Sequence, residues 1–440
     1  MRNPYVVGKW VSHDHFYGRE RLVDELLHGF ENCFWVIGNR RIGKTSLLKQ
    51  LEHLCQDSAS YLGLYWDIEG CHSMGDLGEA LVEAVETTRE GLGLSLAGQE
   101  VTDVLRTLSR EAAKSDRRLL LLCDEGEALM NVEEAEPRSL QRLRRAIHTD
   151  ANIRFVLTSS KRLSLLDELC RDWVTSPFLH GFAVRYLGSL TDTAAENLIR
   201  QTQRGALVYA SPELIGEIKQ VTGNHPYLIQ LLCHRLWQED GSLRQIEDGD
   251  LVVDESLARF FDIDFGHLSE SERRILHEMY AAGQVTAAQL QATLDLPSLS
   301  TFLHGLTQLG YLRQEGEVYA IGNRFLASWL EMAPWEESSK VSDEATLVAY
   351  SGQRTFPSMP YCFKVGVAGC PKQVQLDPQQ VFVGMPFRDE FEDAYVYGIR
   401  SPLEGLGFKV WRADEEPKNI DLMCKICEGL QSSRYAVLNI

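Results

Sequence analysis

Along the first third of the chain, short runs of apolar residues alternate with stretches of helical period. Cys33 to Ile37, "CFWVI", is an unbroken apolar run of strand length, followed by the amphipathic "TSLLKQLEHL". "YLGLYWDIEG" reads as a second strand, with a helix predicted from about Asp76 to Glu90. Leu119 to Cys123 is apolar at every position, as is most of "IRFVLTSS", Ile153 to Ser160. Strands without an apolar–polar alternation are what a parallel sheet covered on both faces requires, so the pattern predicts an α/β fold. Helices then dominate, from about Thr191 to Trp237. Leu268 to Leu330 shows two helices, a break at Leu296-Pro297, a third helix and the hairpin "YLRQEGEVYAI", the layout of a winged helix-turn-helix. Met332 to Cys362 has no period and reads as a linker. From Val381 the alternation returns: strands at Val381 to Met385, "FKVWRAD" and "RYAVLNI", with helices predicted over Asp389 to Leu406, interrupted at Pro402, and over Ile420 to Gln431.

The boundaries this gives are a parallel-sheet core over residues 1–190, a helical lid over 191–262, a winged helix over 263–331, a linker over 332–378 and a partial Rossmann-like unit over 379–440. The chain has 440 residues, 44% of them hydrophobic and 24% charged, ordinary values for folded domains. A net charge of -19 disfavours binding to nucleic acid and to anionic membranes. No apolar run approaches the roughly 18 residues of a spanning helix. The ten cysteines are scattered singly, which suits a reducing cytosol better than a disulfide framework. Cys424 and Cys427 form a C-x-x-C, with Cys362 and Cys370 upstream, but the pair sits in a helical pattern and the other two are too widely spaced for zinc.

The candidate chemistry starts after the first strand. Gly38-Asn39-Arg40-Arg41-Ile42-Gly43-Lys44-Thr45 fits G-x-x-x-x-G-K-[ST], and Ser46 follows. The glycines let successive backbone amides face one anion, and the helix opening near Lys44 adds its positive dipole end. Lys44 is expected to reach the β- and γ-phosphates, and the Thr45 hydroxyl to bind Mg²⁺. Asp124 and Glu125 end an apolar strand, where parallel sheets bind ligands. Asp124 is the candidate for holding Mg²⁺ through water, and Glu125 the candidate base that orients the attacking water. Glu127 reads as a solvated or capping carboxylate. Thr158 or Ser159 is placed to sense the γ-phosphate; a strand-end cap is an equally good reading of that pair. The third helix of the winged module, Ser298 to Leu309, holds Ser300, Thr301, His304, Thr307 and Gln308 but no lysine or arginine. A DNA-reading helix normally carries both, so the composition argues against DNA binding.

"FYGRERLVDELL", "GNRRIGKTSLL", "LLCDEGEAL", "SPFLHGFAVRYLGSLTDTAAENLI" and "GNHPYLIQLLCHRLW" occur in this order. Together, over about residues 10 to 330, they resemble the archaeal-type STAND ATPases, signal-transducing relatives of the AAA+ fold. The resemblance implies that Gly18 and Arg19 lie beside the adenine, and that His225, Pro226 and Tyr227 open a lid helix over the nucleotide. Asn39 departs from the proline common in that family. Any of Arg40, Arg41, Arg154 and Arg162 is open as the arginine finger. The resemblance also implies that the winged helix packs against the ATPase and locks or releases a homo-oligomer. "VFVGMPF", "VWRADEE" and "GLQSSRYAVLNI" resemble the TIR and nucleoside deoxyribosyltransferase effectors, which cleave N-glycosidic bonds of NAD or nucleosides or bind nucleotides. Met385, Pro386, Phe387, Arg412 and Asp414 sit at strand ends where a ligand crevice is expected. The catalytic glutamate of those families would lie beyond Ile440. The expected function is a cytoplasmic signalling ATPase using ATP and Mg²⁺, switched by an unidentified trigger, with antiphage defence suggested by the domain order. The alternative is an ATP-gated winged-helix transcription regulator.

Overall fold

The structure is a computed structural model of the chain, and it divides into two compact units, residues 1–337 and 338–440. It describes residues 2–56, 58–87, 93–94, 96–171, 173, 175–204 and 207–333 of the first unit. Of the second it describes 361–362, 367–368, 377–385, 392, 394–412, 426, 429–430 and 432–438.

A parallel sheet of five strands organises the first unit: β1 (Cys33–Ile37), β2 (Tyr61–Asp67), β3 (Arg118–Asp124), β4 (Ile153–Ser159) and β5 (Ala183–Tyr186), in the order β2-β3-β4-β1-β5. The continuous apolar strands follow from burial on both faces. Cys33, Trp35, Ile37, Leu121 and Leu157 enter one core, while Phe34, Val36, Leu120, Leu122 and Val156 enter the other with Leu47, Leu48 and Leu51 of the helix Lys44–Cys55. Several elements are not evident from the sequence pattern, strand β5 and helix Val101–Lys114 among them. Strand β5 is short, half-exposed and carries Arg185, so only its pairing with β1 makes it a strand. Helix Val101–Lys114 buries Val101, Val104, Leu105, Leu108 and Ala112 at helical spacing, a pattern that was present but not read.

Lid helices Asp192–Arg200, Pro212–Thr222 and Pro226–Leu236 follow, the first two N-capped by the hydroxyls of Thr191 and Ser211. A further helix, Glu255–Gly266, runs across the boundary drawn at 262 and leads into the winged helix. That module comprises helix Glu270–Ala282, β6 (Gln284–Thr286), helices Ala287–Leu294 and Leu299–Gln308, β7 (Leu312–Glu315) and β8 (Val318–Ile321), with sheet order β6-β8-β7. The sequence pattern missed β6, whose three residues are too few to show a period. Helix Arg324–Met332 closes the unit.

The winged-helix module is packed against the sheet core. Asn39 Nδ2 donates to the Leu309 carbonyl at 2.8 Å. Lys161 forms an ion pair with Glu272, whose other oxygen caps the helix through Ser269. A Cβ at Gly188 would lie 2.2 Å from the Gln308 carbonyl oxygen, so this approach needs glycine.

In the second unit, β9 (Tyr361–Cys362) and β10 (Val367–Ala368) form an antiparallel pair. Strands β11 (Asp377–Gly384), β12 (Lys409–Arg412) and β13 (Ser433–Leu438) form a parallel sheet in the order β12-β11-β13, the three strands expected from the sequence. The expected first helix is a π-helix over Ala394–Arg400 that becomes α-helical over Ser401–Gly405, with Pro402 at the start of the latter. Met385 is buried, and Arg412 pairs with Glu392 at 2.9 Å and stacks 3.8 Å from the Tyr395 ring centroid. Pro386, Phe387, Asp414, Cys370, Cys424, Cys427 and most of the helix expected over 420–431 lie outside the described residues. Among the described residues, no group of three or more His, Cys, Asp or Glu side chains is arranged to hold a metal ion.

Candidate nucleotide-binding site

The glycine-rich loop leaves β1 and enters helix Lys44–Cys55 through Gly43, whose φ of 106° is left-handed. Arg41 also has a positive φ, 56°. This curl turns the loop amides toward the helix N-terminus, a geometry suited to an anion. The loop faces a cavity of about 420 Å³. Arg41, Ile42, Gly43, Lys44, Thr45 and Ser46 line it from the loop side, Glu125 from the end of β3, Arg19 from the segment before helix Glu20–His28, and Pro226 and Tyr227 from the lid. Lys44 is curled back on its own loop, donating to the carbonyls of Gly38 and Asn39 at 3.1 and 3.2 Å.

Other expected residues stand behind this wall. Asp124 is 1% exposed and does not line the cavity. Its carboxylate accepts from the hydroxyls of Thr158 and Tyr65 and from the Glu125 amide. Burial and the neighbouring Asp124 push the Tyr65 hydroxyl's pKa above its usual range. The expectation for the end of β4 needs correction: neither Thr158 nor Ser159 reaches the cavity. Thr158 is spent on Asp124, and Ser159 accepts from the Trp35 indole N–H at 2.7 Å. Ser160, one position on, lines the cavity instead. The alternation of a strand puts neighbouring side chains on opposite faces, and sequence alone does not fix which face meets the crevice.

Glu125 holds a left-handed backbone, φ 55°. Burial pushes its carboxyl up to about 7, with Glu127 adding to the rise and Lys44 opposing it. Of the two readings of Glu127, solvated or capping, the structure favours capping. Glu127 is half-buried, lines the cavity and accepts from the Ser160 amide. Arg19 donates to the carbonyls of Gly188 and Ser189, and burial lowers its pKa to about 10. Gly18, Gly38, Asn39 and His225 do not line the cavity. His225 is 7% exposed with neither ring nitrogen hydrogen-bonded, and burial beside Arg19 lowers its pKa to about 3.

Among the arginines left open as a finger, Arg154 is excluded. It is buried and donates to the Leu26 and Gly29 carbonyls, where it holds the end of helix Glu20–His28. Arg41 donates to the Tyr227 hydroxyl and lies 4.5 Å from that ring's centroid, linking loop to lid. Arg162 lines a smaller cavity of about 230 Å³ with Glu69, Glu125 and Glu127. Arg40 lines the main cavity.

Two parts of the site had no motif to announce them. The N-terminal strap straddles core and lid: the Val11 amide donates to Ser46 Oγ at 3.0 Å, the Val6 amide to Gln230 at 3.1 Å, and Trp10 lines the cavity between. Asp264 and His267, from the far end of helix Glu255–Gly266 and just beyond it, close the opposite side.

The sequence matches the family model described as Novel STAND NTPase 1 over residues 11–289. Comparison with curated proteins gives no match. Among solved structures, a Walker-type ATPase of Pyrococcus abyssi superposes with a TM-score of 0.52 at 16% identity, covering 74% of this chain and 99% of its own. At this identity the likeness shows the fold. The Aeropyrum pernix ORC2 protein follows with a TM-score of 0.42, 15% identity and coverage of 71% and 91%. A STAND protein with a tetratricopeptide repeat sensor from Pyrococcus horikoshii gives a TM-score of 0.32 at 16% identity, with coverage of 75% and 45%.

Proposed function

The chain belongs to the Novel STAND NTPase 1 family, and from that premise we propose that it binds ATP with Mg²⁺, hydrolyses it slowly, and uses the bound nucleotide to switch between packed and assembling states. The observation that carries this reading is the convergence of the loop amides, Lys44, Thr45 and Glu125 on one cavity. In this reading Lys44 leaves the loop carbonyls for the β- and γ-phosphates. The donor set suits Mg²⁺: a hydroxyl on Thr45 and, one layer back, the carboxylate of Asp124, acting through water. When bound, the ion would neutralise charge developing on the phosphates. Glu125 is the base that orients water; its carboxyl, raised to about 7, is near the pKa that general-base work at neutral pH favours. Arg19, Pro226 and Tyr227 form the base-side wall with Trp10 of the strap.

The winged helix serves as a lock in this reading rather than as a DNA reader. The end of its third helix, Leu299–Gln308, abuts the phosphate loop through the Leu309 carbonyl and the core through Gly188. The second unit, with its parallel sheet β12-β11-β13, is the effector we propose to be brought together on assembly, directed at NAD or a nucleoside. Bacterial antiphage defence is the setting we propose, on the analogy of domain order alone.

The test is Glu125→Gln against Lys44→Ala. The first variant is expected to bind ATP as the parent does, to lose hydrolysis, and to accumulate a larger ATP-bound species in light scattering. The second is expected to lose nucleotide binding in calorimetry while keeping its circular dichroism spectrum. Parent-level ATP binding in Lys44→Ala would overturn the site, and one unchanged size in the apo, ADP and ATP states with trigger present would overturn the switch.

A further inference from the structure

The phosphate loop already carries an anion of the protein's own. Asp264 Oδ1 accepts from the Arg40 backbone amide at 2.9 Å. Arg40 is the third residue of the glycine-rich motif, so this amide belongs to the row that would otherwise face phosphate. Asp264 is 4% exposed, and among the described residues the amide is the sole hydrogen-bond donor to its carboxylate. The facing cations are Arg40 and Lys44, which favour its charged form; Tyr311 and Glu272 lie on the winged-helix side. Burial outweighs the cations and pushes the carboxyl up to about 7.

Its place along the loop identifies which phosphate it opposes. In the nucleotide-site reading above, the base lies toward the strap, which meets the site at Ser46. Gly43 and Lys44, at the helix N-terminus, suit the phosphates in the middle. Arg40, Glu125 and Ser160 line the same cavity, and in that reading they face the terminal phosphate. On that reading Asp264, a carboxyl in the last turn of a helix whose C-terminal dipole end is negative, stands where the γ-phosphate comes.

We propose that Asp264 is a resident anion that makes the packed protein select nucleoside diphosphate over triphosphate, by occupying the loop amide that a γ-phosphate needs. This rests on the nucleotide-site reading above and assigns the residue through which the γ-phosphate reaches the winged helix. A diphosphate fits with Asp264 in place. Above about pH 7, where this carboxyl is ionised, a triphosphate brings like charge against it and displaces it. Displacement moves the end of helix Glu255–Gly266, and with it the Tyr311 hydroxyl, which donates to the Asp264 carbonyl at 3.3 Å, and the neighbouring Leu309 contact to Asn39.

Calorimetry at about pH 8.5, where Asp264 is ionised, with Mg-ADP and a non-hydrolysable Mg-ATP analogue on the full chain tests this. The parent should bind the diphosphate about 10-fold tighter or more, within the usual range of coupling between linked sites. Asp264→Asn keeps the shape and an acceptor for the Arg40 amide but drops the charge. It should tighten the triphosphate analogue until the two affinities come within about threefold, with diphosphate affinity nearly unchanged. An unaltered ratio in Asp264→Asn overturns the proposal while leaving the nucleotide site standing. Failure of the parent to bind either nucleotide removes the site itself, and the proposal with it. Should the variant not fold, hydrogen exchange on the parent decides. The winged-helix amides of residues 270–321 should exchange faster with the triphosphate analogue than with the diphosphate, and equal protection overturns the proposal.

Discussion

Two carboxylates flank one phosphate loop, and they arrive from different parts of the chain. Glu125 follows β3, an interior strand of the sheet, and stays half-exposed in the cavity. Asp264 reaches in from helix Glu255–Gly266, which carries the winged helix, and is buried against a loop amide. Burial pushes both carboxyls up to about 7. The same shift therefore accompanies opposite uses. On the proposed reading, the carboxylate at the end of β3 is held ready for a water beside the ligand, whereas the one on the helix leading into the winged helix occupies the ligand's own contact. What separates them is not their acidity but which element would have to move when nucleotide enters.

The largest effect expected is on hydrolysis. Glu125→Gln should lower the ATPase rate by about 100-fold or more, in the usual range for loss of a general base, with ATP affinity within a few-fold of the parent. Asp264→Asn should leave hydrolysis at or above the parent rate. Equal losses in steady-state phosphate release from the two variants would erase the contrast. Glu127→Gln is the sharpening control: if it, rather than Glu125→Gln, loses turnover, the base sits two residues further on.

Stability gives the next effect. Lys161→Met leaves Glu272, 1% exposed, without its cation across the core–winged-helix contact. Because Lys161 is itself about a third exposed, the cost should be only about 1–2 kcal/mol, seen as a lower unfolding midpoint in denaturant. It should also ease triphosphate binding, since it weakens the same packed state.

The pH dependence is smaller and has a definite sign. Both acids are raised above their unfolded values, so the folded apo protein holds protons that the unfolded chain has released. Their contribution to stability is fully present below about pH 4 and is lost as pH rises through about 7. His225, lowered to about 3, works the other way, favouring the fold as pH rises from 3 to about 6.5. Replacing Asp264 by Asn should remove part of the loss between pH 4 and 7 in a pH series of urea melts. The ATPase rate should rise with pH through about 7 in the parent, and that limb should be missing in Glu125→Gln.

The smallest effect is on nucleic acid. With no lysine or arginine on helix Leu299–Gln308, DNA affinity should stay weaker than about 10 μM at physiological salt, in the non-specific range. Fluorescence anisotropy showing tight, salt-resistant binding would mean that the winged helix is not only a lock.

The sequence by itself determined four of the five strands of the sheet and the phosphate loop. Their signals are local: five consecutive apolar residues in β1, a fixed glycine spacing, a lysine-threonine pair at a helix start, and an acidic pair closing β3. Each is dictated by neighbours within a few residues, through burial on both faces or through backbone conformations that favour glycine. Tertiary structure alone decided the rest. It turned Thr158 and Ser159 away and Ser160 inward, spent Arg154 on two carbonyls at the end of helix Glu20–His28, and laid the strap across core and lid. It also brought Asp264 to Arg40 across 224 positions of chain. Nothing near Asp264 in sequence marks it, because its environment is made by residues that only the packing of the winged helix places beside it.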